Sequence, residues 1–133
     1  MHGDSLCTND VKYQEFKKLV RSESWKTEFT SKSLTERKSI VEGLRKTSKS
    51  ETSSKDEEIM DVDALTVDDE FLKNNVEWLI HGHTHRPGIH HSTINETERH
   101  RIVLGDWYEH GSVLSIKACK DREGFDCRLE QYK

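Results

Sequence analysis

Apolar side chains near the start of the chain follow a helical pattern. They recur mainly at three- and four-residue spacing, at Val11, Tyr13, Phe16, Leu19 and Val20. This spacing places them on one face of an α-helix. The side chain of Asn9 or Thr8 is expected to cap the first free amide groups, and Asp10 in the first turn suits the positive end of the helix dipole.

Start signals predict two further helices. Ser33 and Glu36 stand at the spacing of a capping box, so a second helix is expected to begin at Ser33. Thr66 with Asp69 can start another, shorter helix. Between these segments, residues 47 to 55 consist only of Ser, Thr, Lys and Glu. This composition predicts a loop, or a segment that becomes ordered only on a ligand.

The second half of the chain has the pattern of β-strands. The largely apolar stretch from Val76 to Ile80 predicts a buried strand, and Gly82 and the single proline, Pro87, end it at once. Three later segments are expected to form successive antiparallel strands: 101–104, 113–118 and 125–129. Helical and strand patterns together predict an α/β protein.

Composition limits the core that the chain can build. Of its 133 residues, 32% are hydrophobic and 35% are charged, which suits one modest domain with a small core. No apolar run is long enough for a membrane span, and the first residues lack the pattern of a signal peptide. A cytoplasmic chain is therefore expected, with Cys7, Cys119 and Cys127 as free thiols because they form no CxxC pair.

Charge is unevenly distributed along the chain. Residues 17 to 55 hold eleven Lys or Arg against five Glu, whereas residues 56 to 79 hold nine Asp or Glu against one Lys. The basic segment can bind an anionic surface or ligand. A solvated helical face balanced by nearby acids explains the same pattern, and charge alone does not decide between them.

The densest chemical signal is a group of alternating histidines directly after the predicted buried strand. His81, His83 and His85 are expected to lie on one side of an extended segment, and Gly82 is expected to let the backbone approach closely. Neutral imidazoles placed in this way can bind metal ions. Ordinary surface or hydrogen-bonding histidines are the alternative.

Other histidines give weaker signals. His2 precedes Gly3 and Asp4 near the start of the chain, where a strand is expected to end in a loop. Taken alone, it is an ordinary exposed histidine. The remaining histidines have no partner at a matching sequence spacing and are read as ordinary histidines: His90, His91, His100 and His110. Of these, His91, His100 and His110 are no more than candidates for a site.

Longer segments of the sequence resemble a known family, the UDP-2,3-diacylglucosamine hydrolases of the calcineurin-like metallophosphoesterases. The resemblance rests on five segments that occur in the family's order: Met1-His2-Gly3-Asp4-Ser5-Leu6-Cys7-Thr8-Asn9-Asp10, Ser53-Ser54-Lys55, Ile59-Met60-Asp61-Val62, Trp78-Leu79-Ile80-His81-Gly82-His83-Thr84-His85-Arg86-Pro87 and Val103-Leu104-Gly105. The histidine-rich segment is the most specific. The resemblance implies part of an α/β sandwich of two sheets flanked by helices, corresponding to the family's C-terminal part.

The resemblance implies a two-metal site. His2, His83 and His85 match metal ligands of the family, whereas His81 does not. Two Mn²⁺ ions are implied, with His2 and His83 on one ion and His85 on the other. The implied reaction is hydrolysis of the pyrophosphate bond of UDP-2,3-diacylglucosamine to lipid X and UMP, a step of lipid A biosynthesis.

The resemblance also implies a helical cap insertion over residues 17 to 58 that binds the substrate. The residues that match polar contacts of the family are Asp10, Arg45, Ser48, Lys55 and His83. Tyr13, Phe16 and Phe29 stand where the family lines the route for acyl chains. The implied location is the cytoplasmic face of the inner membrane of a Gram-negative bacterium, with peripheral membrane contact and no nucleic-acid partner.

The family's other metal ligands lie upstream of the segment that begins at Met1, in an Asp-x-His, a Gly-Asp and a Gly-Asn-Arg-Asp motif. None of these motifs occurs in this sequence. Three imidazoles divided between two ions leave each ion short of ligands. The chain alone is therefore predicted not to be an efficient hydrolase. Two alternatives are a non-catalytic fragment that binds the lipid headgroup, and another phosphodiesterase of the same fold.

Overall fold

The computed structural model describes residues 1–53, 59–119 and 124–133. It divides into two compact units, one made of Met1–Cys7 with Val62–Lys133 and the other of Thr8–Asp61. Lys55, a predicted substrate contact, lies outside the described residues.

The Thr8–Asp61 unit contains three helices. These are α1 (Val11–Val20), α2 (Glu23–Ser31) and α3 (Leu34–Ser53). The first is the helix predicted from the apolar spacing, but its cap differs from the prediction. Asp10, rather than Asn9 or Thr8, accepts a hydrogen bond from the Tyr13 amide at 3.1 Å. The helix begins at Val11, so Asp10 occupies the N-cap position directly before it, where a side-chain oxygen can accept from a free amide of the first turn.

Helix α2 was not predicted, because its few apolar side chains do not form a long stripe. Its N-cap is Ser22, whose hydroxyl accepts a hydrogen bond from the Trp25 amide at 3.3 Å. Trp25 and Phe29, one turn apart on this helix, stack with ring centroids 4.7 Å apart. Stacking between aromatic side chains at this spacing supports a short helix that has no buried residue.

The capping box at the start of α3 is confirmed. The Ser33 amide donates to the Glu36 carboxylate at 2.8 Å, and the Glu36 amide donates to the Ser33 hydroxyl at 3.4 Å. The helix then continues to Ser53, so the predicted loop from residue 47 is wrong over 47–53. Two effects support this longer helix. The Lys12 Nζ atom of α1 lies 3.2 Å from a carboxylate oxygen of Glu51. In addition, each residue added to a helix that has already formed gains one backbone hydrogen bond.

This capping box predicts how Glu36 titrates. The hydroxyl and amide of Ser33 donate to the Glu36 carboxylate and hold its pKa below the ordinary value. The lowered pKa means that the charged carboxylate stabilises the folded state at a pH above the unfolded pKa, and that this stabilisation is lost as pH falls through the folded pKa. Replacing Ser33 by Ala should raise the Glu36 pKa in an NMR titration of its side chain.

The matched control is Ser31→Ala, because the Ser31 hydroxyl donates instead to the Glu28 carbonyl at 2.7 Å. This variant should leave the Glu36 titration unchanged. An equal shift in both variants, or none in Ser33→Ala, would show that the capping box does not set the pKa.

The other unit contains one helix and five strands. They are α4 (Ala64–Asn74), β1 (Trp78–His81), β2 (Gly88–Ile94), β3 (Thr97–Val103), β4 (Gly111–Ala118) and β5 (Phe125–Tyr132). The first three strands form a sheet in the order β1-β3-β2, and β4 pairs with β5 in a separate sheet. The predicted α/β class is confirmed.

The predicted succession of antiparallel strands is confirmed for β4 and β5, which pair antiparallel, whereas β3 lies in the other sheet. Strand β1 is parallel to β3, while β2 is antiparallel to β3. Strand β2 was not predicted from the sequence. It returns the chain, so that β3 runs in the same direction as β1. The turn between β2 and β3 consists of Asn95 and Glu96, both with positive φ, as a two-residue hairpin of the type I′ kind requires.

A small apolar core fixes the first residues of the chain beside α4 and β1. Leu6, Val67, Phe71 and Leu79 form this core. Leu6 is fully buried, and its carbonyl accepts a hydrogen bond from the Asp63 amide at 2.8 Å. Burying a leucine side chain contributes about 1.5–3 kcal/mol. Leu6 therefore anchors the segment that carries His2.

Helix α4 confirms the predicted short helix, with an earlier start. Its cap is Asp63, whose carboxylate accepts a hydrogen bond from the Thr66 amide at 2.9 Å. The three cysteines are free thiols, as predicted. None of the helices in the described residues is long and apolar enough to cross a membrane.

Candidate metal centre

The start of the chain runs beside the end of β1. The Met1 nitrogen donates to the Ile80 carbonyl at 2.9 Å, and the Gly82 amide donates to the His2 carbonyl at 2.9 Å. His2 and His83 consequently face each other, with ring centroids 5.0 Å apart and planes inclined by 66°. Two histidines separated by most of the chain thus lie together at the end of a strand.

Gly3 makes this close approach possible. Its φ is +109°, and a Cβ added there would stand 2.8 Å from both the Gly82 carbonyl oxygen and the His81 Nδ1 atom. A Cβ added to Gly82 would meet only the His2 carbonyl oxygen, at an ordinary 3.7 Å. The prediction that Gly82 is needed for close backbone approach is wrong. The requirement falls on Gly3, on the other side of the same contact.

The histidine loop is not extended. Strand β1 ends at His81, and His83 and His85 have φ values of 71° and 54°. The Thr84 amide donates to the Gly82 carbonyl at 2.9 Å, which closes a three-residue turn around His83. The predicted one-sided alternation of three histidines is therefore wrong. The chain must turn between β1 and β2, and left-handed backbone at non-glycine residues is often found at functional sites.

His81 differs from His83 and His85 in that its side chain is buried. Its Nδ1 lies 2.9 Å from the Gly82 carbonyl oxygen, and its Nε2 lies 3.2 Å from Arg101 Nη1. Because a guanidinium can only donate, Nε2 accepts and Nδ1 carries the proton. Both nitrogens of His81 are thus engaged within the fold, which agrees with its absence from the ligands that the family resemblance implies.

His85 pairs with an acid that sequence reasoning missed. Its Nδ1 lies 3.1 Å from a carboxylate oxygen of Asp106, and both side chains are partly exposed. A carboxylate on Nδ1–H fixes the tautomer and leaves Nε2 as the lone-pair donor, the usual arrangement behind a metal-binding histidine. The available signal was an acid directly after the Val103-Leu104-Gly105 segment at the end of β3.

Replacing Asp106 by Ala should weaken binding of a divalent cation by about 10–100-fold, the usual effect of removing such a supporting carboxylate. The cation titration should be accompanied by ¹⁵N NMR of His85, which should lose its preference for the Nδ1–H tautomer. Glu109→Ala, at an exposed position of the same loop, is the control and should change neither result. An unaltered His85 tautomer in Asp106→Ala would refute the orienting role.

The donor set fits part of a metal centre. His2 and His83 are paired imidazoles. Thr84, the residue after His83, has a buried hydroxyl without a hydrogen-bond partner in the described part of the chain. Buried polar atoms without partners are rare and favour a ligand or water at the position. Within that same part, only His91, Glu98 and His100 place three ligand atoms within 4.8 Å of one another. His2, His83 and His85 therefore supply an incomplete set.

The predicted substrate contacts of the cap lie in the Thr8–Asp61 unit. Asp10 is buried as the cap of α1, and Phe29 is half-buried against Trp25. Tyr13 is also half-buried, whereas Phe16, Arg45 and Ser48 are exposed. The structure thus gives Asp10 and Phe29 local roles in the helices, and their roles toward a substrate stay predictions.

The fold and these side chains describe an α/β protein with paired histidines at a strand end. No family model matches the chain. The UDP-2,3-diacylglucosamine hydrolase of Salmonella agona (strain SL483) is 43% identical over 116 residues, which cover 87% of this chain and 48% of that protein. The protein of the same name from Salmonella paratyphi B is 44% identical with the same coverage.

These relatives confirm the resemblance inferred from the sequence segments. The chain is homologous to UDP-2,3-diacylglucosamine hydrolases over most of its length. It spans about half the length of the curated relatives that it matches.

Proposed function

We propose that the chain carries part of the active site of a Mn²⁺-dependent pyrophosphatase of lipid A biosynthesis, which hydrolyses UDP-2,3-diacylglucosamine to lipid X and UMP. The observation that carries the proposal is the approach of His2 and His83, whose ring centroids are 5.0 Å apart at the end of β1. The substrate comes from the name of the Salmonella relatives.

Each histidine has a separate role in this proposal. His2 and His83 would hold one ion, and His85 would hold the other with its ring oriented by Asp106, 3.1 Å away. When bound, two divalent ions would supply activation of a water molecule and neutralisation of phosphate charge. His81 binds no ion in this proposal, because its Nε2 accepts a hydrogen bond from Arg101.

The helices of the Thr8–Asp61 unit bind the acylated sugar phosphate in this proposal. Arg45 and Ser48, on the exposed side of α3, are available to an anionic phosphate. Lys55 has the same proposed role, although it lies outside the described residues. Phe16 and Leu19 expose apolar side chains on α1, which supports acyl-chain binding and peripheral contact with the cytoplasmic face of the inner membrane.

A non-catalytic, headgroup-binding fragment is the second candidate. The incomplete ligand set favours this candidate, because His2, His83 and His85 are not joined by a carboxylate that could bridge two ions. The helical unit keeps its basic and apolar side chains regardless of the metal centre. Binding without turnover is therefore a coherent function for the chain alone.

UMP release separates the two candidates. The purified 133-residue chain, given UDP-2,3-diacylglucosamine and Mn²⁺, should release no UMP above the background rate. Adding the part of the Salmonella agona relative that lies outside the aligned region should restore release. Release by the chain alone would refute the predicted inactivity. Failure of the two polypeptides to release UMP, although size-exclusion chromatography shows that they associate, would favour the binding fragment.

A further inference from the structure

A second group of possible metal ligands lies on the β2–β3 hairpin. His91 on β2 and His100 on β3 are directly opposite each other in the strand register. Their Nδ1 atoms are 2.9 Å apart, and the His91 Nδ1 atom is 3.7 Å from a carboxylate oxygen of Glu98. All three ligand atoms lie within 4.8 Å of one another.

Strand geometry explains why the three side chains meet. Directly opposed residues of an antiparallel pair project to the same face, and so do residues two apart on one strand. Glu98 and His100 are two apart on β3, and His91 faces His100. The seven residue pairs between β2 and β3 and the two-residue turn at Asn95 and Glu96 fix this register.

Trp78 restricts the orientation of one of the imidazoles. It lies opposite His100 in the β1–β3 register, and the two rings stack with centroids 4.1 Å apart and planes inclined by 23°. The His91 ring stands at 90° to the His100 ring. A ligand that is held by packing loses little rotational freedom when a cation binds, so the site is largely formed in advance.

The contact between the two Nδ1 atoms has a chemical consequence. At 2.9 Å, one nitrogen must carry a proton and the other must offer its lone pair. A divalent cation can replace that shared proton and accept both lone pairs. Two nitrogens bound to one tetrahedral zinc ion stand about 3.3 Å apart, given Zn–N bonds of about 2.0–2.1 Å. A small ring rotation is enough to reach this geometry.

We propose that His91, Glu98 and His100 form a binding site for a divalent transition-metal cation of the zinc type, which joins β2 to β3. Two imidazoles and one carboxylate are ligands that Zn²⁺ favours, and they leave a fourth position for water. His91 and Glu98 are exposed, so the cation and this water reach the site from solvent. The proposal uses none of the residues in the His2 and His83 pair and is independent of the proposed hydrolase.

Calorimetric titration of the full chain with ZnCl₂ tests the site. The unmodified chain should bind one more Zn²⁺ than His91→Gln, or should bind the hairpin ion at least about tenfold more tightly. Losing a group that only supports a metal ligand already weakens metal binding about 10-fold or more, and losing the ligand itself should cost more. Glu98→Gln, at an exposed position, should weaken the same binding event. His83→Ala should retain that event, which separates the hairpin site from the histidine loop.

The matched control is His90→Gln, because His90 is the neighbour of His91 on β2 and points to the opposite face of the strand. It should retain both the Zn²⁺ binding event and a rise in Tm on adding Zn²⁺. His91→Gln should lose that rise. Identical isotherms for the unmodified chain, His91→Gln and Glu98→Gln, each folded by circular dichroism, would overturn the proposal.

Discussion

Replacing Gly3 by alanine is expected to destabilise the Met1–Cys7 and Val62–Lys133 unit by about 2–4 kcal/mol, combining left-handed backbone strain with overpacking. The new Cβ would stand 2.8 Å from the Gly82 carbonyl oxygen and from His81 Nδ1, at a φ of +109°. The Gly82 oxygen belongs to the backbone and His81 is buried, so neither neighbour can move away at small cost. Urea denaturation of the full chain measures the loss.

Gly82→Ala is the matched control for this prediction. It adds a methyl group to the other side of the same contact, where the nearest atom is 3.7 Å away. Its effect on the free energy of unfolding should stay within about 0.5 kcal/mol. Equal destabilisation by the two substitutions would contradict the assignment of the close approach to Gly3.

Replacing His83 by alanine is expected to have the largest effect on function. In the reassembled hydrolase it should lower UMP release by at least about 100-fold, since loss of a group that merely supports a ligand already costs 10–100-fold. His2→Ala should act similarly, because the two rings face each other with centroids 5.0 Å apart. The Mn²⁺ concentration that gives half of the maximal residual rate should also increase.

His110→Ala is the control for these histidine substitutions. His110 is exposed and has no part in the proposed metal centre, so its loss should leave UMP release within about twofold of the parent, consistent with a surface substitution of at most about 0.5 kcal/mol. A His83→Ala enzyme with the parent's rate and Mn²⁺ dependence would remove His83 from the metal centre.

Elements with strong local signals could be predicted from the sequence. The apolar spacing identified α1, and the Ser33–Glu36 capping box identified the start of α3. A largely apolar run identified the segment that contains β1. In each case, the interactions that specify the element lie within a few residues of one another, so the sequence alone displays them.

Elements without such signals were missed or misjudged. Strand β2 is largely exposed and carries few apolar residues, so its pairing with β3 decides its conformation. Without β2, the parallel pairing of β1 and β3 could not be anticipated. Polar residues 47–53 extend α3, because helix propagation needs no buried side chain once the helix has begun.

The candidate site follows the same division. Positions of His2 and His83 beside strand ends were visible in the sequence, whereas the roles of Gly3 and Asp106 depend on contacts between distant segments. The facing of His91 and His100 depends on the register of a hairpin whose first strand was not predicted. Spacing along the chain carries no information about such cross-strand partners.

The sharing of one divalent ion by His2 and His83 is tested most directly by paramagnetic NMR. Substoichiometric Mn²⁺ should broaden the imidazole signals of both residues at the same metal concentration, with assignments from the single alanine variants. In His83→Ala, the His2 signal should stay sharp at that concentration. Broadening of His2 that persists unchanged without the His83 ring would contradict a shared ion, despite the 5.0 Å between the ring centroids.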